Sequence, residues 1–328
     1  MDMQYTTLGR TGLKVSVAGL GAGGNSRLGM DAGATEAESV ALVRTALDLG
    51  VNFIDTAEAY GTETIVGKAV AALPRDSVVL STKSRIEQAG KAMSAAAVVA
   101  NLDASLKRLG TDHVDIYHLH GVAPDYYDHC LTEIVPALER ERARGKLRHL
   151  GITETSPRDP DQHMLQRAVA DAPWDVVMLA FHMMHQVARR ALLPATQRAR
   201  IGTLAMFVVR NIFSRPDLLR ATLRDLAAAG RVPGELAEAD RPLSFLLHAG
   251  GAASLTEAAY RYARHEPGID VVLFGTGSVA HLKQNVADIL KPPLPPADVA
   301  RLDSLFGALS GVGLDLPNRL RSAAPSQG

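Results

Sequence analysis

Features that would mark several classes of protein are scarce or missing in this 328-residue sequence. Cys130 is the single cysteine, which excludes an internal disulfide framework and suits a reducing compartment. The 35 basic and 35 acidic side chains cancel, so no field of one sign favours nucleic acid or an anionic membrane. No apolar run reaches the roughly 18 residues of a membrane span, and the first residues lack the layout of a signal peptide. We therefore expect a cytoplasmic protein, a monomer or small homo-oligomer, whose partner is a small molecule.

What the sequence does contain is a regular alternation of short apolar runs and amphipathic segments. Apolar runs bounded by turn residues predict strands, and apolar residues at helical spacing predict helices between them. The predicted strands of the main sheet cover residues 15–20, 51–55, 78–83, 114–120, 147–152, 176–181, 201–207 and 270–274. These eight units of strand then helix favour a (β/α)8 TIM barrel over a doubly wound sheet, whose glycine fingerprint the turn at residues 19–24 does not match.

Further elements flank this predicted barrel. Residues 5–15 read as an N-terminal β-hairpin, and Thr35 with Glu38 forms a capping box for the first helix. The segment at residues 210–251 is long enough to hold a helix of its own, and one more amphipathic helix runs through Val299 and Leu302. Since no linker or repeat divides the chain, residues 1–328 are predicted to form a single domain with a mobile tail at residues 317–328.

Charged and aromatic side chains follow the second, third and fourth predicted strands. Asp55, Lys83 and His120 stand at these strand ends, with Tyr60 five residues beyond Asp55. The carboxyl ends of parallel strands meet at one mouth of a barrel, so these side chains are expected to converge there. A lysine ammonium beside a phenol favours the phenolate, and a carboxylate would hold the lysine charged. This set predicts a proton donor for a carbonyl oxygen, which requires a cofactor that delivers hydride. A structural alternative is that Asp55 caps a helix and Tyr60 packs under a loop.

Four ordered motifs make the first half of the chain similar to the aldo-keto reductases. They are Asp55-Thr56-Ala57-Glu58-Ala59-Tyr60-Gly61, Ser81-Thr82-Lys83, the run from Leu106 to His120, and the run from Gly145 to Ile152. The resemblance extends to about residue 290 and implies a (β/α)8 barrel with an extended nicotinamide cofactor across the strand ends. It implies that Tyr60 is the general acid, that Lys83 and Asp55 tune it, and that His120 orients the substrate carbonyl.

The resemblance also assigns residues to the nicotinamide ring, and here the chain departs from the family pattern. Where the family usually has Ser-Asn to hold the carboxamide, this chain has Thr153-Glu154, and a carboxylate cannot donate to the amide oxygen. The usual glutamine of the sixth strand falls at Met178. The usual stacking tyrosine falls at Met206, and methionine fills space against an aromatic face without ring stacking.

The phosphate end of the cofactor is assigned to the last strand and the helix that follows it. Bare backbone amides at a helix N-terminus suit a phosphate. Where many members have a basic residue for the 2′-phosphate, this chain has Gly275 and His281, so NADP(H) is only mildly preferred, with NAD(H) as the alternative. Predicted cofactor contacts are Gly275, Thr276, Gly277, Ser278, His281, Gln284 and Asn285 at this end, Gly21, Ala22, Gly23 and Asp55 near the first two strands, and Phe207, Val209, Arg210 and Asn211 after the seventh. Arg210 and Asn211 are candidates for the pyrophosphate, with a solvated loop as the alternative.

Other readings of the chain stay open. His118 and His120 lie two apart on one strand face, as metal ligands of hydrolase barrels do, but the later strand ends supply no convincing partners and no metal site is predicted. His182 and His185 either line the substrate pocket or pack. Cys130 is expected to be inert. The leading function is therefore an NAD(P)-dependent carbonyl or sugar oxidoreductase, followed by a nicotinamide-binding regulatory protein on the same barrel and by a metal-dependent hydrolase.

Overall fold

The computed structural model describes residues 2–314, so the predicted mobile tail at residues 317–328 lies outside the described residues. Its strands are β1 (Tyr5–Thr7), β2 (Lys14–Ser16), β3 (Ala18–Gly21), β4 (Phe53–Asp55), β5 (Val79–Arg85), β6 (Glu87–Gln88), β7 (Lys91–Ala92), β8 (Val114–Val122), β9 (Leu147–Glu154), β10 (Val176–Ala180), β11 (Gly202–Met206) and β12 (Val271–Phe274). Its α-helices are α1 (Glu36–Asp48), α2 (Glu63–Val70), α3 (Ala95–Leu109), α4 (Tyr127–His129), α5 (Val135–Ala143), α6 (His163–Ala170), α7 (Leu192–Ala199), α8 (Asn211–Ser214), α9 (Pro216–Ala228), α10 (Gly234–Glu238), α11 (Leu255–Arg264), α12 (Val279–Ile289) and α13 (Pro296–Phe306).

Eight of these strands close into a barrel in the order β10, β11, β12, β3, β4, β5, β8, β9, and each pairs with its neighbours in parallel. The predicted (β/α)8 TIM barrel is confirmed. Side chains alternate between two apolar layers, since successive residues of a strand point to opposite faces. The inner layer includes Phe53, Ile116 and Leu204, whereas a larger layer lies between the strands and the surrounding helices.

The N-terminal hairpin is also confirmed, because β1 and β2 pair antiparallel with Tyr5 opposite Ser16. It contacts the barrel at the start of β11, where a Cβ on Gly9 would lie 2.2 Å from the Gly202 nitrogen. The predicted strand at residues 15–20 is divided in two. Ser16 donates to the Ala18 carbonyl oxygen at 2.7 Å, and the chain passes there from the hairpin into β3 of the barrel.

The flanking helices agree with the sequence pattern. Thr35 and Glu38 form the predicted capping box at α1, α9 occupies the long connection after β11, and α13 follows the barrel. The hairpin of β6 and β7 after the third barrel strand was not predicted, because two-residue strands leave no periodic signal. Within residues 2–314, every helix falls short of the length or apolar character that a bilayer crossing requires.

Candidate active site

A buried ion pair between β4 and β5 lies at the centre of the site. Lys83 Nζ lies 2.6 Å from Asp55 Oδ2 and also donates to the Thr56 carbonyl oxygen at 2.8 Å. Ser81, paired with Asp55 in the barrel register, donates to its Oδ1 at 2.8 Å. Burial opposes the charged form of Lys83, but the Asp55 carboxylate and Tyr60 together outweigh it, so the pKa of Lys83 lies above its ordinary value. Burial raises the pKa of Asp55 while Lys83 and Ser81 oppose that rise, and the two donors at contact distance favour a carboxylate beside an ammonium.

Tyr60 stands over this pair in a short 3-10 turn, Glu58–Tyr60, that follows β4. The Lys83 ammonium lies 5.0 Å from the centroid of the Tyr60 ring. The Tyr60 hydroxyl lies 3.4 Å from His120 Nε2 at the end of β8, and the two rings meet edge to face. The four residues predicted to act together are therefore in one cluster, and the alternative in which Asp55 only caps a helix does not describe its contacts.

Residues of the Gly-rich segment after β3 hold Tyr60 in place. A Cβ on Gly23 would lie 2.5 Å from the Tyr60 ring, so only glycine lets the ring come so close. Arg27 donates from Nε to the Tyr60 carbonyl oxygen at 2.7 Å and is itself paired with Asp31 at 3.0 Å. Sequence reasoning missed Arg27, because it has a positive φ of 43° within an irregular segment that carries no periodic pattern.

His120 is a neutral imidazole in this setting. Burial, followed by the charge of Lys83, lowers the pKa of His120 to about 3. A neutral imidazole carries one N–H donor. His120 is therefore better suited to donating a hydrogen bond to a carbonyl oxygen than to transferring a proton to it.

An elongated cleft of about 830 Å³ runs from Asp55 and Tyr60 across the carboxyl ends of β3, β10, β11 and β12. The predicted cofactor residues on its wall are Gly21, Gly23, Asp55, Met178, Met206, Phe207, Val209, Arg210, Gly275, Thr276, His281, Gln284 and Asn285. The wall near Tyr60 is apolar and glycine-rich, and the far end meets the first turn of α12, where Ser278 caps the helix. A long cleft with backbone exposed at glycines and a helix N-terminus at one end fits an extended dinucleotide.

Six predicted cofactor residues are not on this wall: Ala22, Thr153, Glu154, Asn211, Gly277 and Ser278. Glu154 is the most informative of them, because its Oε1 accepts hydrogen bonds from the Ala180 nitrogen and from Gln162 Nε2. Burial raises the pKa of Glu154 to about 8, so its neutral acid form is well populated at pH 7. Glu154 joins the ends of β9 and β10 outside the cleft, while Thr153 accepts from the Gly121 nitrogen at 2.7 Å.

Phe207 brings an aromatic ring to the cleft next to the position where the family pattern expects one. Its φ is 63°, a left-handed backbone that is rare for a bulky residue, and the Arg210 guanidinium lies 4.2 Å from its ring centroid. Met206 and Phe207 both line the cleft. From the sequence alone, only the absence of the family's tyrosine at Met206 can be recognised. The left-handed backbone of Phe207 cannot be predicted from its residue type.

The far end of the cleft contains charged residues that sequence reasoning missed. Lys291 bridges Glu257 at 2.7 Å and Asp288 at 3.1 Å, and Arg261 pairs with Glu257 at 2.8 Å. Burial opposes ionisation of Glu257, but bonds from Lys291, the Ala253 nitrogen and Arg261 hold its pKa below the ordinary value. The i,i+3 spacing of Asp288 and Lys291 and the i,i+4 spacing of Glu257 and Arg261 can be read from the sequence. The same spacings also occur on an ordinary solvated helix face. The remaining unpredicted residues of the wall are Gly24, Asn25, Ser26, Val208, Ser214, Ala253, Ser254, Thr256, Tyr260, Leu273 and Phe274.

The other residues singled out from the sequence lie away from the cleft. His182 and His185 are buried against the C-terminal segment, where the Gly311 nitrogen donates to His185 Nδ1 at 3.3 Å and Gly313 approaches the His182 ring. His118 is buried in the barrel interior against Gly151. Among residues 2–314 no group of three or more His, Cys, Asp or Glu side chains could hold a metal ion. Burial raises the pKa of the Cys130 thiol to about 12, in agreement with an unreactive cysteine.

The buried histidines predict acid sensitivity of the folded state. Burial lowers the pKa of His185 from 6.5 to about 4, so its neutral form stabilises the fold fully above pH 6.5, and this contribution is lost as pH falls towards 4. His185→Asn, whose amide oxygen can still accept from Gly311, should remove about one proton from the pH dependence of unfolding. Between pH 6.5 and 4 the free energy of unfolding should therefore fall by on the order of 3 kcal/mol less in His185→Asn than in the wild type. Urea unfolding at pH 4 to 8 measures it, and equal slopes in the two proteins would contradict the prediction.

A closed barrel of eight parallel strands with its polar residues and cleft at the strand carboxyl ends defines a (β/α)8 barrel enzyme. The model of the aldo/keto reductase family matches residues 19–306, and the chain belongs to this family. Members are oxidoreductases that interconvert carbonyl compounds and alcohols with nicotinamide cofactors. The recognition made from the four sequence motifs is therefore confirmed.

Relatives of the chain cover most of its length. It is 32% identical over 296 residues to an L-galactose dehydrogenase of Arabidopsis thaliana, covering 88% of each chain. It is 28% identical to a methylglyoxal reductase of Escherichia coli (strain K12), covering 87% of this chain and 89% of that protein. Among solved structures, the holo form of an aldo-keto reductase from Bacillus halodurans superposes with a TM-score of 0.71 at 24% identity, over 94% of this chain and 98% of that one. The structural match supports the fold.

Proposed function

We propose that this protein interconverts a carbonyl compound and its alcohol with a nicotinamide cofactor, using Tyr60 as the general acid and base. The observation that carries the proposal is the position of Tyr60 on the wall of the cleft, with its hydroxyl 3.4 Å from His120 Nε2 and its ring centroid 5.0 Å from the Lys83 ammonium. A carbonyl oxygen placed between Tyr60 and His120 would meet one proton donor and one hydrogen-bond donor.

Each residue of the cluster then has a separate task. Tyr60 gives a proton to the oxygen during reduction and takes it back during oxidation. Lys83 stabilises the phenolate that remains, Asp55 holds Lys83 in place, and neutral His120 orients the carbonyl. The nicotinamide cofactor, when bound, supplies or accepts the hydride. The glycine-lined and apolar part of the cleft would hold it, with the phosphate end at Thr276 and the first turn of α12.

The cofactor preference follows from the far end of the cleft. NADP(H) is expected to be mildly preferred, because recognition of a 2′-phosphate would rest on backbone amides, the Thr276 hydroxyl and His281. Among the described residues of this wall the one ammonium, that of Lys291, is engaged by Glu257 and Asp288. No arginine fork replaces it within residues 275–291.

His281→Arg should therefore enlarge the preference for NADP over NAD, because the guanidinium brings a fixed charge and a planar donor fork to the 2′-phosphate. The measurement is the ratio of dissociation constants for the two cofactors in both proteins. Lys283→Arg, on the same helix but off the cleft wall, is the matched control. A ratio that is already large in the wild type and indifferent to His281→Arg would show that the phosphate is held elsewhere.

The experiment that tests the function is the change in nicotinamide absorbance with a panel of carbonyl compounds and alcohols. Aldoses and small 2-oxoaldehydes belong in the panel because one relative is an L-galactose dehydrogenase and another a methylglyoxal reductase. Turnover with any member supports the proposal. Cofactor binding without turnover across the panel would instead favour a nicotinamide-binding regulatory protein on the same barrel.

A further inference from the structure

The barrel divides its mouth into two sides around Tyr60. The cleft that fits the cofactor lies over β10, β11, β12 and β3, whereas the catalytic cluster stands on β4, β5 and β8. Hydride must come from the cofactor side. The part of a substrate that extends beyond its carbonyl group would therefore lie over β5 and β8, within reach of residues on these strands.

Arg85, the last residue of β5, occupies this second side. Thr82 and Ser84 face outward, since Thr82 bonds to Glu63 of α2 and Asn101 of α3 donates to Ser84. By the alternation of a strand, Arg85 shares the inner face with Ser81 and Lys83. The register places Arg85 directly opposite His120 on β8, just as Lys83 is opposite His118. Its charge also contributes, after burial and Lys83, to the lowered pKa of His120.

The Arg85 side chain is exposed at the mouth. Among residues 2–314 it makes no side-chain hydrogen bond and no ion pair within 4.0 Å, and its charge acts on the Glu58 carboxylate only from a longer distance. Arg158, by contrast, is paired with Glu87 at 3.2 Å. The half-buried Glu58 uses Oε1 to accept from the Arg85 backbone nitrogen at 2.8 Å. Arg85 is thus a fixed-charge donor fork on the substrate side of the mouth, and it does not belong to the cofactor wall.

We propose that Arg85 binds an anionic group of the substrate, so that the preferred carbonyl compounds carry a carboxylate or phosphate several bonds from the reacting carbon. This inference rests on the proposed function and names its substrate class. A guanidinium binds such groups through two parallel hydrogen bonds. Two residues of a strand span about 7 Å, which sets the distance between the level of Lys83 and that of Arg85. A carboxylate directly on the carbonyl carbon is too close for this spacing, whereas those of 4-oxobutanoate or a hexuronate are far enough away.

Pairs of substrates that differ mainly in the anion test this inference. The pairs are 4-oxobutanoate with butanal and D-glucuronate with D-glucose for a carboxylate, and glyceraldehyde 3-phosphate with glyceraldehyde for a phosphate. The ratio of kcat/KM for the anionic over the neutral member is expected to be about 10 to 100 in the wild type, as one bidentate charged contact permits. The pair with the larger ratio identifies the kind of anion.

The ratio should fall to near one in Arg85→Gln and be partly restored in Arg85→Lys, which keeps the charge but loses the fork. Arg158→Gln, which removes an arginine that is already paired with Glu87, is the matched control and should leave the ratio unchanged. Glu58→Gln should raise the ratio, because it removes a negative charge that interacts with Arg85. A wild-type ratio near one for every pair, or a ratio that survives Arg85→Gln, overturns the inference.

A measurement without turnover separates this inference from the function on which it rests. Succinate and butane-1,4-diol are titrated calorimetrically into the protein with cofactor present. Succinate binding that is at least tenfold weaker in Arg85→Gln supports the anion site even if no carbonyl compound is reduced. Equal binding of succinate in both proteins, or none, overturns the site even if neutral carbonyl compounds are good substrates.

Discussion

Tyr60→Phe is expected to lower turnover by about 10² to 10⁴-fold while cofactor affinity changes only a few-fold. The substitution removes the one hydroxyl that stands between the Lys83 ammonium and His120 and leaves the ring that packs on Gly23. The cofactor cleft is bounded by that ring and not by the hydroxyl proton, so binding should survive. Steady-state turnover and cofactor titration on the same preparation measure the two effects.

The matched control for this substitution is Tyr5→Phe. The Tyr5 hydroxyl is hydrogen-bonded too, since it donates to the Gly50 carbonyl oxygen at 2.9 Å, but it lies in the N-terminal hairpin outside the barrel mouth. Turnover should be unchanged in Tyr5→Phe. Near-wild-type turnover in Tyr60→Phe would remove Tyr60 from the mechanism, and a large loss of cofactor affinity would show that the variant disturbs the cleft.

Lys83→Met should lower kcat/KM by about a hundredfold or more and move the basic limb of its pH profile upward. The ammonium favours the phenolate, so its removal makes the proton of Tyr60 harder to release. The profile of kcat/KM between pH 6 and 11 measures both effects. A basic limb that stays in place would mean that Lys83 does not tune the phenol.

Removing Lys83 also leaves the buried Asp55 carboxylate without its partner, which costs about 3–5 kcal/mol of stability for pairs of this kind. The double variant Lys83→Met with Asp55→Asn removes that orphan charge and separates unfolding from catalysis. If the double variant folds like the wild type and keeps the low activity and the shifted limb, the effect belongs to the chemistry. Recovery of activity in the double variant would show that the loss came from the fold.

The strands of the barrel and the residues at their ends can be predicted from local sequence patterns. The eight strands were visible as apolar runs, because a strand buried on both faces is apolar throughout its length. Asp55, Lys83 and His120 could be placed together before any coordinates, since parallel strands in one barrel all deliver their carboxyl ends to the same mouth. Tyr60 came with them because it lies on the short turn directly after β4.

The tertiary structure decided the properties that depend on the direction of a side chain or on distant contacts. Glu154 stands where the family pattern places a carboxamide ligand, yet its carboxyl bonds Ala180 and Gln162 outside the cleft, and nothing in the order of residues indicates that direction. Phe207 reaches the cleft through a left-handed backbone that residue type alone would argue against.

The sequence by itself determined the barrel, the family and the four residues that meet around Tyr60, because each rests on periodicity or on short motifs within one strand and its loop. Only the tertiary structure decided the far wall of the cleft, where Glu257 of α11 meets Lys291 more than thirty residues later, and the position of Arg85 opposite His120. Sequence patterns report which face of an element is apolar. Which polar residues of separate elements meet is set by packing and register across the whole barrel.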